Sequence, residues 1–172
     1  MTLRVFFKGL CGLLALVLVG CATPSRPLPP ASVPAAVPET SSRLSQDMRR
    51  DVVLQSMAML DRNYTYGGKK LHTGFDCSGL VSFVYKESAR IDLRGSSADM
   101  AKKTRPISAQ AAQPGDLVFF NTLGSANSHV GIYIGSGKFI HAANERTGVK
   151  LERLDAPYWK QAFEGYRSAF AD

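Results

Sequence analysis

The chain has 172 residues, of which 45% are hydrophobic and 20% are charged. This length is enough for one domain with its own core, and the composition excludes a fibrous or wholly disordered chain. The 21 lysines and arginines exceed the 14 aspartates and glutamates, so the formal net charge is +7. A basic surface suits anionic polymers or lipid headgroups. We expect no nucleic-acid partner, because the sequence carries no helix-turn-helix, zinc-finger or aromatic-basic motif.

The first 20 residues have the composition of a cleaved export signal. Arg4 and Lys8 make the start basic, and residues 10–19 form a short apolar run. The run is too short to cross a membrane as a helix, and the small Gly20 after it suits signal cleavage. We therefore expect residues 1–20 to be a signal peptide.

The end of this run, Leu18-Val19-Gly20-Cys21, resembles the lipobox of bacterial lipoproteins. The resemblance implies that Cys21 becomes the mature N terminus, carries palmitate or a similar acyl chain, and anchors the protein to a membrane. Ala22 stands where an aspartate is associated with inner-membrane retention, so the expected location is the outer membrane, facing the periplasm. A simple secretory signal cut nearby is the alternative.

Cysteine usage singles out one thiol. Cys11 is lost with the signal, Cys21 would carry lipid, and Cys77 then remains as the only free cysteine. An intrachain disulfide is therefore impossible in the processed chain. An unpaired cysteine in an exported protein indicates a reactive thiol or an intermolecular pair.

Residues 21–45 form a predicted proline-rich linker that includes the lipidated Cys21. Six prolines lie between residues 24 and 38, among alanine, serine and threonine. Such a tract extends at about 3.1 Å per residue, so it can hold a domain well away from its anchor. Residues 46–172 are expected to fold as a single domain, whose oligomeric state the sequence leaves open.

Hydrophobic spacing and turn residues outline this domain. Helices are predicted from Ser45 to about Leu60 and from Asp76 to residues 88–90. Residues 91–112 are interpreted as loop with one short helix. Strands are predicted at residues 116–120, 129–134, 138–143, 149–151 and 163–170.

The residues around Cys77 predict a nucleophile at the start of a helix. Asp76 is a strong N-cap residue, and Phe75 can pack against Leu80 as a hydrophobic staple. Cys77 falls in the first turn, where free backbone N–H groups and the helix dipole favour a thiolate over a thiol. The alternative is a buried structural cysteine, so a base elsewhere in the chain must decide.

His129 and His141 are the candidates for that base. A three-residue turn at residues 135–137 places His141 opposite Gly131 and diagonally next to His129, on one sheet face. A two-residue turn would place the histidines on opposite faces. On one face, His129 could take the proton of Cys77 while His141 fixes its tautomer. Zinc bound by the cysteine and both histidines is the other interpretation, although no further ligand stands at close spacing.

Several sequence blocks occur in a characteristic order: Tyr64-Thr65-Tyr66-Gly67-Gly68, Phe75-Asp76-Cys77-Ser78-Gly79-Leu80-Val81, and residues 114–120, 128–135 and 139–142. Together they resemble the NlpC-type cell-wall cysteine peptidases. The resemblance implies an α+β, papain-like fold, in which a nucleophile helix packs against an antiparallel β-sheet, and a Cys-His-His triad without metal or cofactor. It also implies hydrolysis of amide bonds in peptidoglycan stem peptides, commonly between D-glutamate and a diamino acid.

The resemblance assigns roles residue by residue. Cys77 becomes the nucleophile, His129 the base and His141 the third polar residue of the triad. Tyr64 matches a tyrosine whose hydroxyl assists the oxyanion region. The residues that the resemblance places in the substrate groove are Tyr66, Asp76, Ser78 and Ser96.

Two other functions remain open at this stage. The chain could be a non-catalytic lipoprotein that binds or organises the cell wall, although it keeps all three triad positions. The same triad would also permit an amidase or acyltransferase acting on another acyl substrate.

Overall fold

The computed structural model describes residues 39–171. The predicted signal peptide, Cys21 and the prolines of the linker lie outside the described residues. The helices in the described range are α1 Glu39–Ala58, α2 Cys77–Ala89, α3 Ser97–Lys103 and α4 Pro157–Ala162. The strands are β1 Lys69–Lys70, β2 Gly74–Phe75, β3 Arg105–Ile107, β4 Leu117–Phe120, β5 His129–Gly135, β6 Lys138–Asn144, β7 Gly148–Arg153 and β8 Phe163–Ser168.

Six of these strands form one antiparallel sheet in the order β3-β8-β4-β5-β6-β7, and β1 and β2 form a small hairpin before α2. The predicted α+β class with an antiparallel sheet is confirmed. The edge strand β3 lies inside the segment 91–112 that was predicted as loop and short helix, so that prediction was wrong there. Within residues 39–171, no helix is long and apolar enough to cross a membrane.

Helix α1 begins at Glu39, ahead of the predicted start at Ser45. The last residues of the predicted linker are therefore helical. The proline tract ends at Pro38, and residues 39–45 contain no helix breaker, so the helix can extend back to the end of the tract. The buried Val52 joins α1 to the main hydrophobic core, and the buried Met59, directly after the helix, belongs to the same core.

The main core lies between α2 and one face of the sheet. Leu80 and Val84 of α2 are fully buried, as are Val130, Ile132 and Ile140 of the sheet. The alternation of the two strands predicts Val130, Ile132, Ile134 and Ile140 as core, and Ile134 is only partly buried. Each fully buried aliphatic side chain of this size contributes about 1.5–3 kcal/mol to folding, so the helix is firmly seated on the sheet.

A second, aromatic cluster covers the opposite face of the sheet. Phe120 and Phe139 are fully buried there, and Trp159 and Phe163 pack against them. The ring centroids of Phe120 and Trp159 are 4.9 Å apart in an edge-to-face arrangement, which is a favourable geometry for aromatic pairs. This cluster surrounds the face that carries the histidines.

A buried ion pair ties α1 to the sheet. Nη1 of Arg49 lies 2.6 Å from Oδ1 of Asp116, just before β4, and both side chains are almost completely buried. Arg49 also donates to the hydroxyl of Ser168, and its guanidinium lies 4.3 Å from the ring centroid of Phe170. One side chain therefore connects α1, the start of β4 and the end of β8.

The turn between β5 and β6 differs from the prediction. Gly135 pairs with Lys138, which leaves Ser136 and Gly137 as a two-residue turn. Both turn residues have positive φ, 51° and 68°. These angles suit a type I′ turn, whose twist matches that of the adjoining strands. The predicted three-residue turn is wrong.

A shift in the pairing of β5 with β6 restores the predicted register. The register shifts by one residue after Tyr133, so Ile132 pairs with Ile140. A β-bulge inserts one unpaired residue and exchanges the faces of all residues beyond it. His129 and His141 therefore share one face, as predicted, although the turn has the length that alone would have separated them.

Candidate active site

Asp76 caps the helix that carries the candidate nucleophile. Its Oδ1 accepts a hydrogen bond from the backbone N–H of Gly79 at 2.6 Å, and its backbone is extended. The predicted N-cap is confirmed. Cys77 is the first residue of α2, and its half-buried side chain packs against the main core.

The same carboxylate fixes the turn that precedes β1. Oδ2 of Asp76 accepts from the N–H of Gly67 at 3.0 Å, and the Asp76 N–H donates to the carbonyl of Gly68. That carbonyl would lie 1.9 Å from a Cβ at Gly79, so only glycine allows the close approach. The hydroxyl of Ser78 donates to Asp76 at 3.0 Å. Asp76 and Ser78 thus lie beside Cys77, with their polar atoms holding the helix start.

Tyr64 reaches the site from a separate segment. It forms a parallel bridge with Phe75, and the flanking hydrogen bonds run from Thr65 N–H to Phe75 O and from Phe75 N–H to Asn63 O. Burial raises the pKa of the Tyr64 hydroxyl, and the nearby Cys77 and Asp76 raise it further. Tyr64 therefore stays protonated at neutral pH and is able to donate a hydrogen bond.

An open cavity of about 670 Å³ extends from Tyr64. Tyr66 lines it and is 87% exposed, which is unusual for a large aromatic side chain. Asn144, Glu145 and Arg146 at the β6–β7 turn form the rest of the wall. The predicted groove residue Tyr66 is thus placed in a cavity next to the Cys77 region.

Ser96 has a different local role. Its hydroxyl accepts from the N–H of Asp99, while the Asp99 carboxylate accepts from the N–H of Ser96. This reciprocal pair is a capping box at the start of α3. Among the described residues, no hydrogen bond joins Ser96 to the Cys77 cluster, so its predicted place in the groove stays a prediction.

The two histidines form a hydrogen-bonded pair. Nε2 of His129 lies 2.8 Å from Nδ1 of His141, and the rings are nearly perpendicular. Both side chains are buried. Since Nε2 of His129 is engaged, only Nδ1 of that ring remains to exchange a proton with the thiol.

Trp159 covers this pair, a placement that the sequence did not reveal. Its ring centroid lies 5.6 Å from that of His129 and 4.7 Å from that of His141. A single tryptophan after Pro157 carries no sequence signal for contact with residues 129 and 141. The indole excludes water from the hydrogen bond between the histidines.

Burial keeps both imidazoles neutral. Desolvation lowers the pKa of His129 to about 4, although the Asp76 carboxylate opposes the shift. Desolvation also lowers the pKa of His141 well below its usual range, and the neighbouring His129 and Lys150 add to the effect. Neither ring is therefore charged in the resting protein at neutral pH.

The thiol of Cys77 is also neutral in the resting protein. Burial raises its pKa to about 11, and the Asp76 carboxylate adds to this, whereas the N–H groups of Val130, Ser78 and Cys77 itself lower it. The expectation of a thiolate favoured by the helix N terminus is thus overturned. Desolvation by the sheet outweighs the free N–H groups of the first turn.

Cys77 lies next to the strand that carries His129. The backbone N–H of Val130, the residue after His129, interacts with the sulfur. Within residues 39–171, no hydrogen bond joins the sulfur to the His129 ring. Catalytic hydrogen bonds often tighten only when substrate is bound, so the imidazole on the adjoining strand stays the candidate base for this thiol.

Metal binding receives no support from this arrangement. In the described part of the chain, no group of three or more histidine, cysteine, aspartate or glutamate side chains is close enough to hold a metal ion. The facing nitrogens of His129 and His141 are bonded to each other, so they do not converge on a common point. Zinc coordination would require both rings to turn.

We expect the two buried histidines to make stability fall below neutral pH. Each has a folded-state pKa below its unfolded value of about 6.5. Below pH 6.5 the unfolded chain binds protons that the folded chain does not, so stability is present above this pH and is lost on acidification toward pH 4. Urea unfolding between pH 7 and pH 5 should show this decline.

Two variants separate this effect from general acid sensitivity. His141→Gln should flatten the decline, because it removes one titrating group. His72→Gln should leave it unchanged, because His72 is exposed. Equal slopes in all three proteins would contradict a contribution from the buried pair.

A sheet that brings a histidine pair to a cysteine at a helix N terminus is the architecture of papain-like domains. The family model described as the NlpC/P60 family matches residues 61–168, and the chain belongs to this family. The match contains Cys77, His129 and His141. It excludes α1 and the proline-rich segment.

Individual proteins show the same relationship. The chain is 36% identical over 114 residues to murein DD-endopeptidase MepH of Escherichia coli (strain K12), covering 64% of this chain and 42% of the relative. It is 36% identical over 117 residues to the gamma-DL-glutamyl hydrolase of Bacillus subtilis (strain 168), covering 67% and 28%. Each relative is therefore much longer than the matched domain.

A solved structure agrees in fold. It is a protein of the NLP/P60 family, described as similar to lipoprotein, from Staphylococcus aureus subsp. aureus Mu50. The TM-score is 0.63 and the identity 31%, with 73% of this chain and 42% of that chain covered. The papain-like α+β fold is thus established for the described domain.

Proposed function

We propose that this protein is a cell-wall endopeptidase that hydrolyses amide bonds in peptidoglycan stem peptides through a thiol mechanism. The observation that carries the proposal is the hydrogen-bonded pair His129 and His141 on the strands beside Cys77. The names of the two relatives give the substrate class, because one is a murein endopeptidase and the other a glutamyl hydrolase.

The first step is attack by Cys77 on the amide carbonyl. The resting pair is a thiol and a neutral imidazole, so Nδ1 of His129 takes the thiol proton as the carbon–sulfur bond forms. The imidazolium carries its other proton on Nε2, and this N–H donates a hydrogen bond to Nδ1 of His141. His141 thereby holds the ring orientation and stabilises the charge.

A backbone N–H and a hydroxyl group can stabilise, by hydrogen bonds, the negative charge that develops on the carbonyl oxygen. The Cys77 N–H lies in the first turn of α2, where it has no partner within the helix. The protonated Tyr64 hydroxyl is close enough to Cys77 to share its electrostatic environment. Both are placed before substrate arrives, as electrostatic stabilisation of an oxyanion requires.

The second half of the reaction restores the enzyme. His129 returns its proton to the leaving amine as the carbon–nitrogen bond breaks, which leaves a thioester on Cys77. Water then attacks the thioester with His129 as base, and the thiol leaves with its proton. The sum is hydrolysis of one amide bond.

For the bond itself we favour the link between D-glutamate and the diamino acid. The mixed polar cavity beside Tyr64, with Glu145 and Arg146 on its wall, suits a charged peptide. The two relatives bear names that indicate different bonds, so the product must identify it.

The test is incubation of purified muropeptides with the protein, followed by mass spectrometry. Cleavage at D-glutamate should split an uncrosslinked muropeptide into a sugar fragment that keeps L-alanyl-D-glutamate and a free peptide that begins with the diamino acid. Separation of crosslinked dimers into monomers would instead identify the crosslink as the target. Intact muropeptides after long incubation with folded, reduced protein would overturn the proposal.

We expect His141 to contribute less to the reaction rate than Cys77 and His129. We expect His141→Ala to lower kcat/KM by about 10²-fold, because His129 keeps its basic nitrogen but loses the group that orients it. His141→Gln offers an amide oxygen to Nε2 of His129 and should retain more activity than the alanine variant. The measurement is the pH profile of kcat/KM. Similar losses in both variants would contradict the orienting role.

We also propose that Cys21 is acylated and anchors the domain to the outer membrane, facing the periplasm. The order of basic start, apolar run and Leu18-Val19-Gly20-Cys21 supports this placement. A proline-rich tract between anchor and domain suits an enzyme whose substrate lies beyond the headgroups. Mass spectrometry of the mature N terminus should find lipid in the native protein and none in Cys21→Ser.

A further inference from the structure

A second cavity borders His141 and shares only Asn144 with the lining of the proposed groove. Its volume is about 580 Å³, within the range of small-ligand sites. His141 lines it, whereas Cys77, Tyr64 and Tyr66 do not. Its other main lining residues are Lys150, Glu152, Pro157, Tyr158 and Trp159.

The proposed reaction, together with the contact to His129, assigns the tautomer of His141. During the proposed reaction Nε2 of His129 donates to Nδ1 of His141, so Nδ1 must be the unprotonated nitrogen. A neutral imidazole carries one proton, which is then on Nε2. His141 therefore presents an N–H donor on the edge of its ring that is turned away from His129.

This donor has no acceptor within residues 39–171. Nε2 of His141 is completely buried and makes no hydrogen bond to any described residue. Buried polar groups are nearly always hydrogen-bonded, so an orphaned N–H on the wall of a cavity indicates that the cavity supplies the acceptor.

A cationic side chain stands beside the orphaned donor. Lys150 on β7 pairs directly with His141 on β6, so both side chains lie on one face of the sheet. Lys150 forms an ion pair with Glu152, which faces the same way. The ammonium has three donors and this ion pair uses one, so Lys150 can bind a second anion.

We propose that this cavity binds a small carboxylate, which accepts hydrogen bonds from Nε2–H of His141 and from Nζ of Lys150. Trp159 and the 59% exposed Tyr158 provide an apolar wall for the rest of the ligand.

Occupancy of this cavity would strengthen the catalytic base. The charged or titratable groups that face His141 are His129, Lys150 and Glu152, with the Tyr158 hydroxyl at the cavity mouth. A carboxylate that accepts the Nε2 proton makes Nδ1 of His141 a better acceptor, which stabilises the imidazolium of His129. A carboxylate ligand would thus act as an activator. The tautomer that gives His141 its Nε2–H donor and this effect on the base both rest on the proposed function, whereas a saturable response to acetate is measured without turnover.

The test uses the Cys77→Ala protein, so that binding is measured without turnover. Sodium acetate is titrated at constant ionic strength, with sodium chloride as the balancing salt, and the histidine ring nitrogens are followed by NMR. We expect a saturable shift at Nε2 of His141. Acetamide, which has the same shape without the charge, should cause a much smaller shift.

Two lysine variants locate the site. Lys150→Met should weaken acetate binding by about tenfold, the effect of one lost charge-assisted hydrogen bond. Lys86→Met, on the exposed side of α2, should bind as the parent does. A linear response, an equal response to acetamide, or unchanged binding in a folded Lys150→Met protein would overturn the proposal. If Lys150→Met does not fold, the comparison of acetate with acetamide decides alone.

Discussion

Cys77→Ala should lower the rate of stem-peptide hydrolysis by roughly 10⁴-fold or more while leaving the fold intact. The variant lacks the only atom that can form the acyl-enzyme, and neither His129 nor Tyr64 can replace it. The side chain is half-buried, and alanine fits where a small thiol stood. Product formation measured by mass spectrometry, with the urea midpoint as a check on folding, provides the test.

A matched control is Ser78→Ala, one residue further along the same helix. Its hydroxyl donates to Asp76, which keeps other partners at Gly67 and Gly79, so we expect a small effect on the rate. A turnover rate of Cys77→Ala close to that of the native protein would contradict the thiol mechanism. Equal losses in both variants would indicate damage to the helix start.

Arg49→Met should lower the free energy of unfolding by about 3–5 kcal/mol. The substitution leaves the Asp116 carboxylate buried, with the N–H of Gln113 as a remaining donor, and it also removes the cation from the Phe170 ring. An uncompensated buried charge is far more costly than a lost surface contact. Urea unfolding monitored by circular dichroism measures the change.

Arg50→Met is the matched control on the same helix. Arg50 pairs with Asp47 and Asp51 on the exposed face of α1, where such pairs contribute about 0–1 kcal/mol. Combining Arg49→Met with Asp116→Asn should restore part of the lost stability, because the second substitution removes the isolated charge. Equal effects of the two arginine substitutions would contradict a special role for the buried pair.

Local sequence was sufficient to predict the start of the nucleophile helix. Asp76, Cys77 and Gly79 lie within one turn, and an N-cap acts over three residues. The placement of both histidines on one face of the sheet was also predicted, but from a turn of the wrong length. The alternation of Val130, Ile132 and Ile140 specified which face is buried, and the bulge after Tyr133 reconciled that alternation with a two-residue turn.

Features that depend on distant contacts could not be predicted. The protonation state of Cys77 was predicted from the helix terminus alone, whereas burial by the sheet decides it. Trp159 belongs to a helix far along the chain, and no local pattern links it to His129. The pairing of Arg49 with Asp116 joins a helix to a distant strand, and a charged residue on an amphipathic helix would ordinarily be assigned to the surface.

The Asp76 carboxylate joins the Gly67 turn to the first turn of α2, so the nucleophile region is assembled from one short stretch of chain. Its base arrives on strands that come much later in the sequence. A partly folded chain can therefore hold Cys77 in its helix and still lack any group to take the proton. The proposed activity would therefore appear only once the sheet has docked on the helix, so its recovery during refolding would follow the last long-range step and not helix formation.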